Sequence, residues 1–356
     1  MSLLQLFDKK TAQVLLTGLA FGLGLVFLYS AWRAIIAFLF AVFFAYLLEA
    51  PVSKFQTWLR GSRPAAIAVV YALFVVILVV VFSLLGPPVA QEGHKLTQEA
   101  PEWANKISSG QIAEQIGTHY GWSPATVKRA QDVLFQQRDE IITATQGFVL
   151  RAARTVQNTW WLVLVPILAI FFLKDGERFG QIIVNSVQDP GNRQMVAAAV
   201  EKMHTMVGQF IRAQLLLSVL AIAVVTLVLW VMKVPYAIAL GPAAGALEFI
   251  PVVGPVVGGA AILAVAFLAG YKHLLWLLIF LLIWRGIQDY VSSPRIMGGP
   301  LELHPLAVMF GVLAGGEVAG VIGVFLSIPV LATVRILWHT WQLYRKPLPP
   351  AAARSA

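Results

Sequence analysis

The chain has 356 residues, of which 59% are hydrophobic and only 12% are charged. Soluble domains carry about 25% charged residues, so this composition excludes an ordinary globular protein and predicts a membrane protein. The formal net charge is +9, but the basic residues lie at the edges of apolar segments rather than in one cluster, which argues against nucleic-acid binding. The chain has no cysteine, which excludes disulfides, thiolate nucleophiles and cysteine-ligated metals.

Uncharged segments long enough to cross a bilayer begin close to the N-terminus. A helical span needs about 20 residues, and at least about 17 without help from its flanks. Five segments stand out: 11–32, 34–48 (short, with Arg33 and Glu49 able to reach the interface), 64–91, 155–173 and 213–232. A sixth segment, 273–284, is shorter, but we count it as a span as well. The sequence therefore predicts an all-α polytopic protein with about six full transmembrane helices.

Residues 92–154 separate the third and fourth predicted spans and hold seven basic and seven acidic residues. A balanced segment of this length can lie outside the cytoplasm whatever its charge. Its apolar residues recur at helix-like spacings, which predicts an extramembrane segment of amphipathic helices without chemistry of its own. These residues are Trp103, Ile107, Val127, Leu134, Ile141 and Ile142.

The C-terminal half is apolar but broken by glycine and proline. Eight such residues fall within 241–259 and ten within 294–323. At membrane depth, interrupted helices persist only where they are buried in protein or line a water-filled cavity. The breaks therefore predict two re-entrant helical hairpins that line a transport pathway. Close helix packing is the alternative reading, but an acid beside each break favours the pathway.

The two broken regions resemble each other at an offset of 70 residues. PYAIALGPAAG (235–245) aligns with PLAVMFGVLAG (305–315), and Glu248 and Glu317 follow within a one-residue slip. If each unit is one span plus one hairpin, the hairpins enter from opposite sides and the repeat is inverted. Arginine and lysine near the span ends then place both termini in the cytoplasm.

The predicted organisation has five parts. Residues 1–91 form N-terminal transmembrane helices and 92–154 the extramembrane segment. Residues 155–208 form a transmembrane helix followed by a cytoplasmic amphipathic helix. The broken-helix transport core occupies 209–346, and 347–356 form a disordered tail.

Glu248 is the strongest candidate for chemistry in the core. A buried charge costs about 2.5–3.5 kcal/mol on insertion scales, so it needs a partner or a function. Pro251 leaves a backbone carbonyl without its usual donor, so a carboxylate and free carbonyls could converge on a cation or proton beside Gly254 and Pro255. A salt bridge from Glu248 to Arg212 or Arg285 is the competing structural explanation.

Other polar residues form a second rank of candidates. Arg212 and Gln214 are expected to support Glu248, while Gln288 and Asp289 could contact solute near the cytoplasmic mouth. Glu317 follows the same logic as Glu248 but could lie in water at a hairpin tip. His304 could relay protons, although a polar residue at a helix start is the preferred interpretation.

Enzyme motifs are missing from the sequence. It contains no H-E-x-x-H, G-x-S-x-G or P-loop pattern and no histidine–acid cluster at metal-ligand spacing. We therefore expect neither an enzyme, nor a bound metal, nor a cofactor.

Several motifs in order resemble the autoinducer-2 exporter family of bacterial permeases. The first are VPIL with FLKDGER (165–178), IRAQ (211–214) and EFIPVVGP (248–255). Later ones are Gln288-Asp289, PRIMG (294–298), LHPL (303–306), the glycines from Gly315 to Gly323, and Ile328-Pro329. The resemblance covers nearly the whole chain in layout, with its specific motifs between residues 165 and 329.

The resemblance implies a secondary transporter of the bacterial inner membrane that exports a small solute such as a signalling molecule, or a Na⁺(Li⁺)/H⁺ antiporter. It also implies a homo-oligomer, with a pentamer as one candidate state. From the residues, the leading hypothesis is a proton- or cation-coupled transporter that works by alternating access. Two alternatives remain: a scaffold whose 92–154 segment binds a partner, and a passive channel. The expected partners are the lipid bilayer, the solute and H⁺ or Na⁺.

Overall fold

A computed structural model describes residues 9–109, 111, 114, 117, 123–136, 160–297 and 303–345. These residues are helical almost throughout, and no strand occurs among them. In chain order the helices are α1 (Lys9–Ser30), α2 (Trp32–Trp58), α3 (Arg63–Ser108), α4 (Pro124–Gln136), α5 (Trp160–Asn185), α6 (Pro190–Val231), α7 (Ala237–Leu247), α8 (Val253–Leu268), α9 (Leu274–Ile287), a π-helical turn (Gln288–Ser292), α10 (Ser293–Met297) and α11 (Pro305–Arg345).

Six of these helical segments are long and apolar enough to cross a membrane, which confirms the all-α polytopic class and the predicted number of spans. They comprise α1, α2, α3, α6, α9 with the turn and α10, and α11. The membership differs from the prediction in two respects. Helix α11, predicted as a re-entrant hairpin, is among the six, although its backbone leaves helical geometry at Ala319 and Gly320. Helix α5 is not, because its apolar part within the described residues covers only 160–173, ahead of Lys174 and Asp175. Residues 155–159 of that predicted span lie outside the described residues.

Helix α3 extends far beyond the span predicted to end at Gln91. It continues without interruption to Ser108, so the first part of the predicted extramembrane segment is a direct extension of a transmembrane helix. This extension contacts the start of α7. Glu92 Oε2 accepts a 2.8 Å hydrogen bond from the Ala239 N–H, and the ring of the buried Trp103 meets the ring of Tyr236 edge-on at 5.8 Å. Ile141, Ile142 and the C-terminal tail lie outside the described residues.

An N-terminal bundle is built from α2, α3 and α5. Its core contains Ala41, Val52, Ala66, Ala169 and Leu173, whose small or branched side chains let the helices approach closely. Arg63 connects all three helices: its Nε donates to the Leu173 carbonyl at 2.8 Å, and its Nη2 lies 2.9 Å from a Glu49 carboxylate oxygen. These charge-assisted contacts of the Arg63 guanidinium hold the loop between α2 and α3 against α5.

The first glycine- and proline-rich region folds into an antiparallel helical hairpin of α7 and α8. Gly258 packs directly against Ala244, and Gly254 packs against the backbone of Leu247. Gly241 and Gly245 bring α7 against the backbone of α6 near Thr226 and Ile222. A methyl group at Gly241, Gly245 or Gly254 would collide with the facing backbone, so these helix contacts require glycine at the three positions.

The second glycine-rich region also reverses direction, inside α11. Ala319 and Gly320 leave helical geometry, and Gly320 has a φ of +59°. The two arms then cross where Gly315 and Gly323 meet backbone to backbone. The matched glycines of the two regions therefore have different partners, since Gly245 faces α6 whereas Gly315 faces its own hairpin. That the hairpins are re-entrant and form an inverted repeat stays a prediction.

Candidate functional site

The tip of the α7–α8 hairpin carries Glu248, which is only 8% exposed. The chain turns there through Val252, whose φ of +66° is strained for a β-branched residue. A hydrogen bond of 2.7 Å from the Val253 N–H to the Pro251 carbonyl closes this γ-turn. Strained backbone of this kind persists only when surrounding structure holds it in place.

Helix α6 supplies part of that support through two buried polar side chains. The Gln214 side-chain amide donates to the Glu248 backbone carbonyl, and the Ser218 hydroxyl donates to the Gly245 carbonyl at 2.6 Å. Both carbonyls belong to the last turn of α7, where backbone acceptors have no partner within the helix. The hairpin is therefore fixed to α6 through its backbone, which leaves the Glu248 carboxylate free for other contacts.

The carboxylate itself is bound from the opposite side by Gln288. The Gln288 Nε2 donates a 2.6 Å hydrogen bond to Glu248 Oε2, and Gln288 is buried. Gln288 opens the π-helical turn that follows α9. Single π-turns of this kind occur frequently at functional sites. The sequence gives no local signal for this turn.

Glu248 forms no direct ion pair with a described residue, although the charges of Arg285 and Asp289 are near enough to act on it. Arg285 pairs instead with Asp289 at 2.7 Å, and this pair is partly exposed. The salt-bridge explanation for Glu248 is thus not supported within the described part of the chain. The buried indole N–H of Trp284 lies close to the same carboxyl and acts on it as a second neutral donor, although it does not reach ideal hydrogen-bond geometry. The site therefore combines a buried acid with neutral hydrogen-bond donors.

The structure brings together some of the predicted residues and separates others. Glu248, Gln214, Gln288, the buried Pro251 and Gly254, and the partly buried Pro255 lie at or beside the hairpin tip. Arg212 points elsewhere, because its guanidinium lies beside Gly208 and Tyr46, between α6 and α2. Arg285 and Asp289 flank the tip as an ion pair without bonding to Glu248.

Glu317 and His304 lie apart from this cluster. Glu317 is exposed, two residues before the turn at Ala319. His304 is exposed at the start of α11, where its Nδ1 accepts a 3.2 Å hydrogen bond from the Leu306 N–H. That contact is typical of a polar residue that caps a helix start.

Three residues at the site were not predicted as candidates: Ser218, Trp284 and Phe325. Phe325 stacks on Phe249 of the hairpin tip with the ring centroids 4.8 Å apart. Ser218 could have been found, because Gln214, Ser218 and Thr226 repeat at multiples of four in an otherwise apolar helix and so mark one face. Trp284 and Phe325 carry no such signal, since apolar residues dominate both of their helices.

Comparison with known proteins adds information from nearly the whole chain. A family model described as the AI-2E family transporter matches residues 15–342. The transport protein TqsA of Escherichia coli (strain K12), named as an AI-2 transport protein, is 26% identical over 317 residues, 86% of each chain. PerM of the same strain, named as a permease, is 26% identical over 350 residues, 94% of each chain. YrrI of Bacillus subtilis (strain 168), named as a transport protein, is 26% identical over 313 residues, 85% of each chain.

Proposed function

Because this chain belongs to the AI-2E transporter family, we propose that it is a secondary transporter that exports a small solute and couples that export to protons or alkali cations by alternating access. The family and the apolar helices make it a multi-pass membrane protein. The similarity to bacterial permeases supports a bacterial inner membrane, and the distribution of lysine and arginine supports cytoplasmic termini. The proposal assigns the chain no catalytic step.

One observation carries the coupling part of the proposal: a buried carboxylate, Glu248, is bonded to a neutral amide and to no cation of the described chain. A charge removed from water is costly unless it is paired. A bound proton or alkali cation would neutralise the charge of the Glu248 carboxylate. Loading and unloading at Glu248 therefore change the electrostatic free energy of the hairpin tip considerably.

This energy difference provides a coupling mechanism. The loaded tip is neutral and can stay against the apolar wall formed by Phe249 and Phe325, whereas the unloaded tip favours contact with water. Alternating access requires two states whose equilibrium a ligand can bias. The hairpin is a suitable moving element, because short helices joined at a strained turn can shift as one unit.

The nature of the solute follows only from similarity. TqsA is named for the transport of AI-2, so we extend export of a small signalling solute to this chain as part of the proposal. A Na⁺(Li⁺)/H⁺ antiporter is the second candidate function. The carboxylate of Glu248 favours it, because carboxylate oxygens are hard ligands that suit hard cations.

A homo-oligomer is also part of the proposal. Along α1, the apolar side chains from Val14 to Tyr29 are exposed, and its contact with α2 is slight. Such a helix is available to lipid or to a second copy of the chain. Crosslinking in native membranes would show whether copies associate through it.

Proteoliposomes test the coupling directly. The purified full-length protein is reconstituted with an internal pH dye, and Na⁺, Li⁺ or K⁺ is added outside. We expect cation-dependent proton movement in the wild type and its loss in Glu248→Gln, because the amide keeps the shape of the side chain but cannot carry the charge. Glu201→Gln is the matched control, since Glu201 is an exposed acid on α6.

The outcomes separate the candidate functions. Proton movement that persists in Glu248→Gln would remove Glu248 from the coupling role. No movement with any cation, from correctly oriented wild-type protein, would exclude alkali-cation antiport and direct the search to organic solutes. Flux without coupling would instead indicate a passive channel.

A further inference from the structure

Arg212 lies between α6 and α2 and has no hydrogen bond or ion pair among the described residues, although it is partly buried. Its Nη2 lies 3.6 Å from the point where a Cβ on Gly208 would stand. Tyr46 Cδ1 lies 3.4 Å from the same point, on α2. The guanidinium and the tyrosine ring therefore both border the space beside Gly208.

A third polar group completes this cluster. The Tyr46 hydroxyl lies 3.0 Å from His204 Nδ1, and the two rings are 5.0 Å apart. His204 is exposed, one turn before Gly208 on α6, so the cluster is open to solvent at this end. Glu49, three residues after Tyr46, is near enough to act on the tyrosine electrostatically, but its carboxylate is paired with Arg63. The cluster therefore presents donors and the positive charge of Arg212, and no acid is bonded to it among the described residues.

We propose that Arg212, Tyr46 and His204 form a binding site for an oxyanion group, a phosphate or carboxylate, at the junction of α2 and α6. The guanidinium has a planar fork of donors that matches both groups. The Tyr46 hydroxyl can add a donor when His204 Nδ1 donates to it. An ionisable residue within a membrane protein that lacks a protein partner is expected to serve a ligand.

This site is distinct from the Glu248 cluster. Gln214, two residues after Arg212, points to the hairpin tip, so the two side chains leave α6 on different faces. In assigning the oxyanion to the exported solute, the inference rests on the proposed transport function. The solute would then be an organic anion, bound by its charged group at α2 and α6. Membrane lipids with a phosphate headgroup offer the same chemistry and are the other source.

Binding of inorganic phosphate by the purified full-length protein tests the site without any transport. Equilibrium dialysis at low ionic strength, with the protein in a zwitterionic detergent, should show saturable binding in the wild type. Arg212→Gln should weaken this binding tenfold or more, and Tyr46→Phe several-fold. Lys202→Gln is the matched control, because it removes one positive charge from an exposed position on the same helix.

A second arm identifies the source of the oxyanion. The same variants are reconstituted into phosphatidylcholine or phosphatidylglycerol bilayers, and their unfolding midpoints are compared. Arg212-dependent stabilisation by phosphatidylglycerol, without binding of free phosphate, would assign the site to a lipid headgroup. Arg212→Gln protein that matches the wild type in both arms, with Tyr46→Phe also unchanged, would overturn the site.

Glu248→Gln separates this inference from the proposed function. That variant should lose coupled proton movement but bind phosphate like the wild type, because no hydrogen bond or ion pair of the described residues joins the two clusters. Intact coupling in a wild type that binds no oxyanion would overturn this inference alone. Oxyanion binding by a wild type that moves no protons would count against the proposed coupling alone.

Discussion

The side-chain amide of Gln288 donates a 2.6 Å hydrogen bond to the carboxylate of Glu248, across 40 residues of sequence. The bond joins the tip of the α7–α8 hairpin to a π-helical turn at the end of α9. Both residues are buried, so the bond is shielded from competition by water. Any movement that carries the hairpin tip away from α9 has to break it.

Gln288→Leu should therefore make the tip retain its coupling ion. Without the amide donor, the unloaded carboxylate lacks its bond to the protein, which costs about 1–3 kcal/mol for a buried acceptor. We expect about tenfold tighter apparent affinity for the coupling cation together with slower turnover. The cation dependence of proton movement in proteoliposomes measures both. Tyr290→Phe, at an exposed position in the same turn, should behave as the wild type.

Gly254→Ala should destabilise the hairpin, whereas Gly259→Ala on the same helix should not. A Cβ on Gly254 would stand 2.5 Å from the Leu247 carbonyl carbon, while one on Gly259 would meet nothing within 4 Å. Overpacking costs about 1–3 kcal/mol, and the exchange at Gly259 removes a helix-weakening glycine. Thermal unfolding in detergent compares the two variants. Equal midpoints would show that the hairpin arms are not in close contact in solution.

Glu92→Ala should loosen the first turn of α7. Tyr236 occupies the N-cap position with a φ of +59° and provides no side-chain cap, so Glu92 supplies the missing acceptor from α3. A lost cap costs about 0.5–2 kcal/mol, and part of the effect is the loss of a negative charge at a helix N-terminus. Hydrogen exchange at 237–241 should accelerate. Glu102→Ala, further along α3 and paired with Lys106, is the control.

Tyr236 does not make this contact sensitive to pH in the neutral range. Burial raises the pKa of its phenol, and the neighbouring Glu99 and Glu92 raise it further. The phenol therefore stays protonated through the neutral range. A change in hydrogen exchange near pH 7 at this contact would have to come from another group.

Cysteine labelling tests the inverted arrangement of the two hairpins. Because the chain contains no cysteine, single variants need no prior removal of native thiols. Gly259→Cys and Gly316→Cys should react with impermeant maleimide from opposite sides of oriented membranes. Reaction of both from the same side only would rule out the inverted repeat.

The broken helices and Glu248 could be predicted from local sequence, because glycine, proline and a lone acid in an apolar segment each have a direct physical cost. The partner of Glu248 could not. Gln288 lies 40 residues away at the end of α9, and hydrophobic spacing does not report which face of that helix meets the hairpin tip. The sequence placed Gln288 at a solute-facing mouth, which remains a separate prediction.

The predicted role of Arg212 beside Glu248 is not supported by its position in the structure. Its closeness to Gln214 in sequence suggested a common role at Glu248, but positions two apart on a helix project to different faces. The arginine lies beside Gly208 and Tyr46, and the glutamine lies at the hairpin tip. The length of α3 could not be predicted either, because its charged extension is held by contacts with α7 rather than by hydrophobic periodicity.

Helix α3 would be about 70 Å long at 1.5 Å per residue, and it is anchored near both ends. Arg63 fixes one end to α5, and Glu92 and Trp103 attach the other to the start of α7. Between these anchors, Pro87 and Pro88 remove two backbone donors from the helix. The helix can therefore bend most easily at these prolines, just before the residues that contact α7. A displacement of the α7–α8 hairpin would bend α3 there and leave the N-terminal bundle in place.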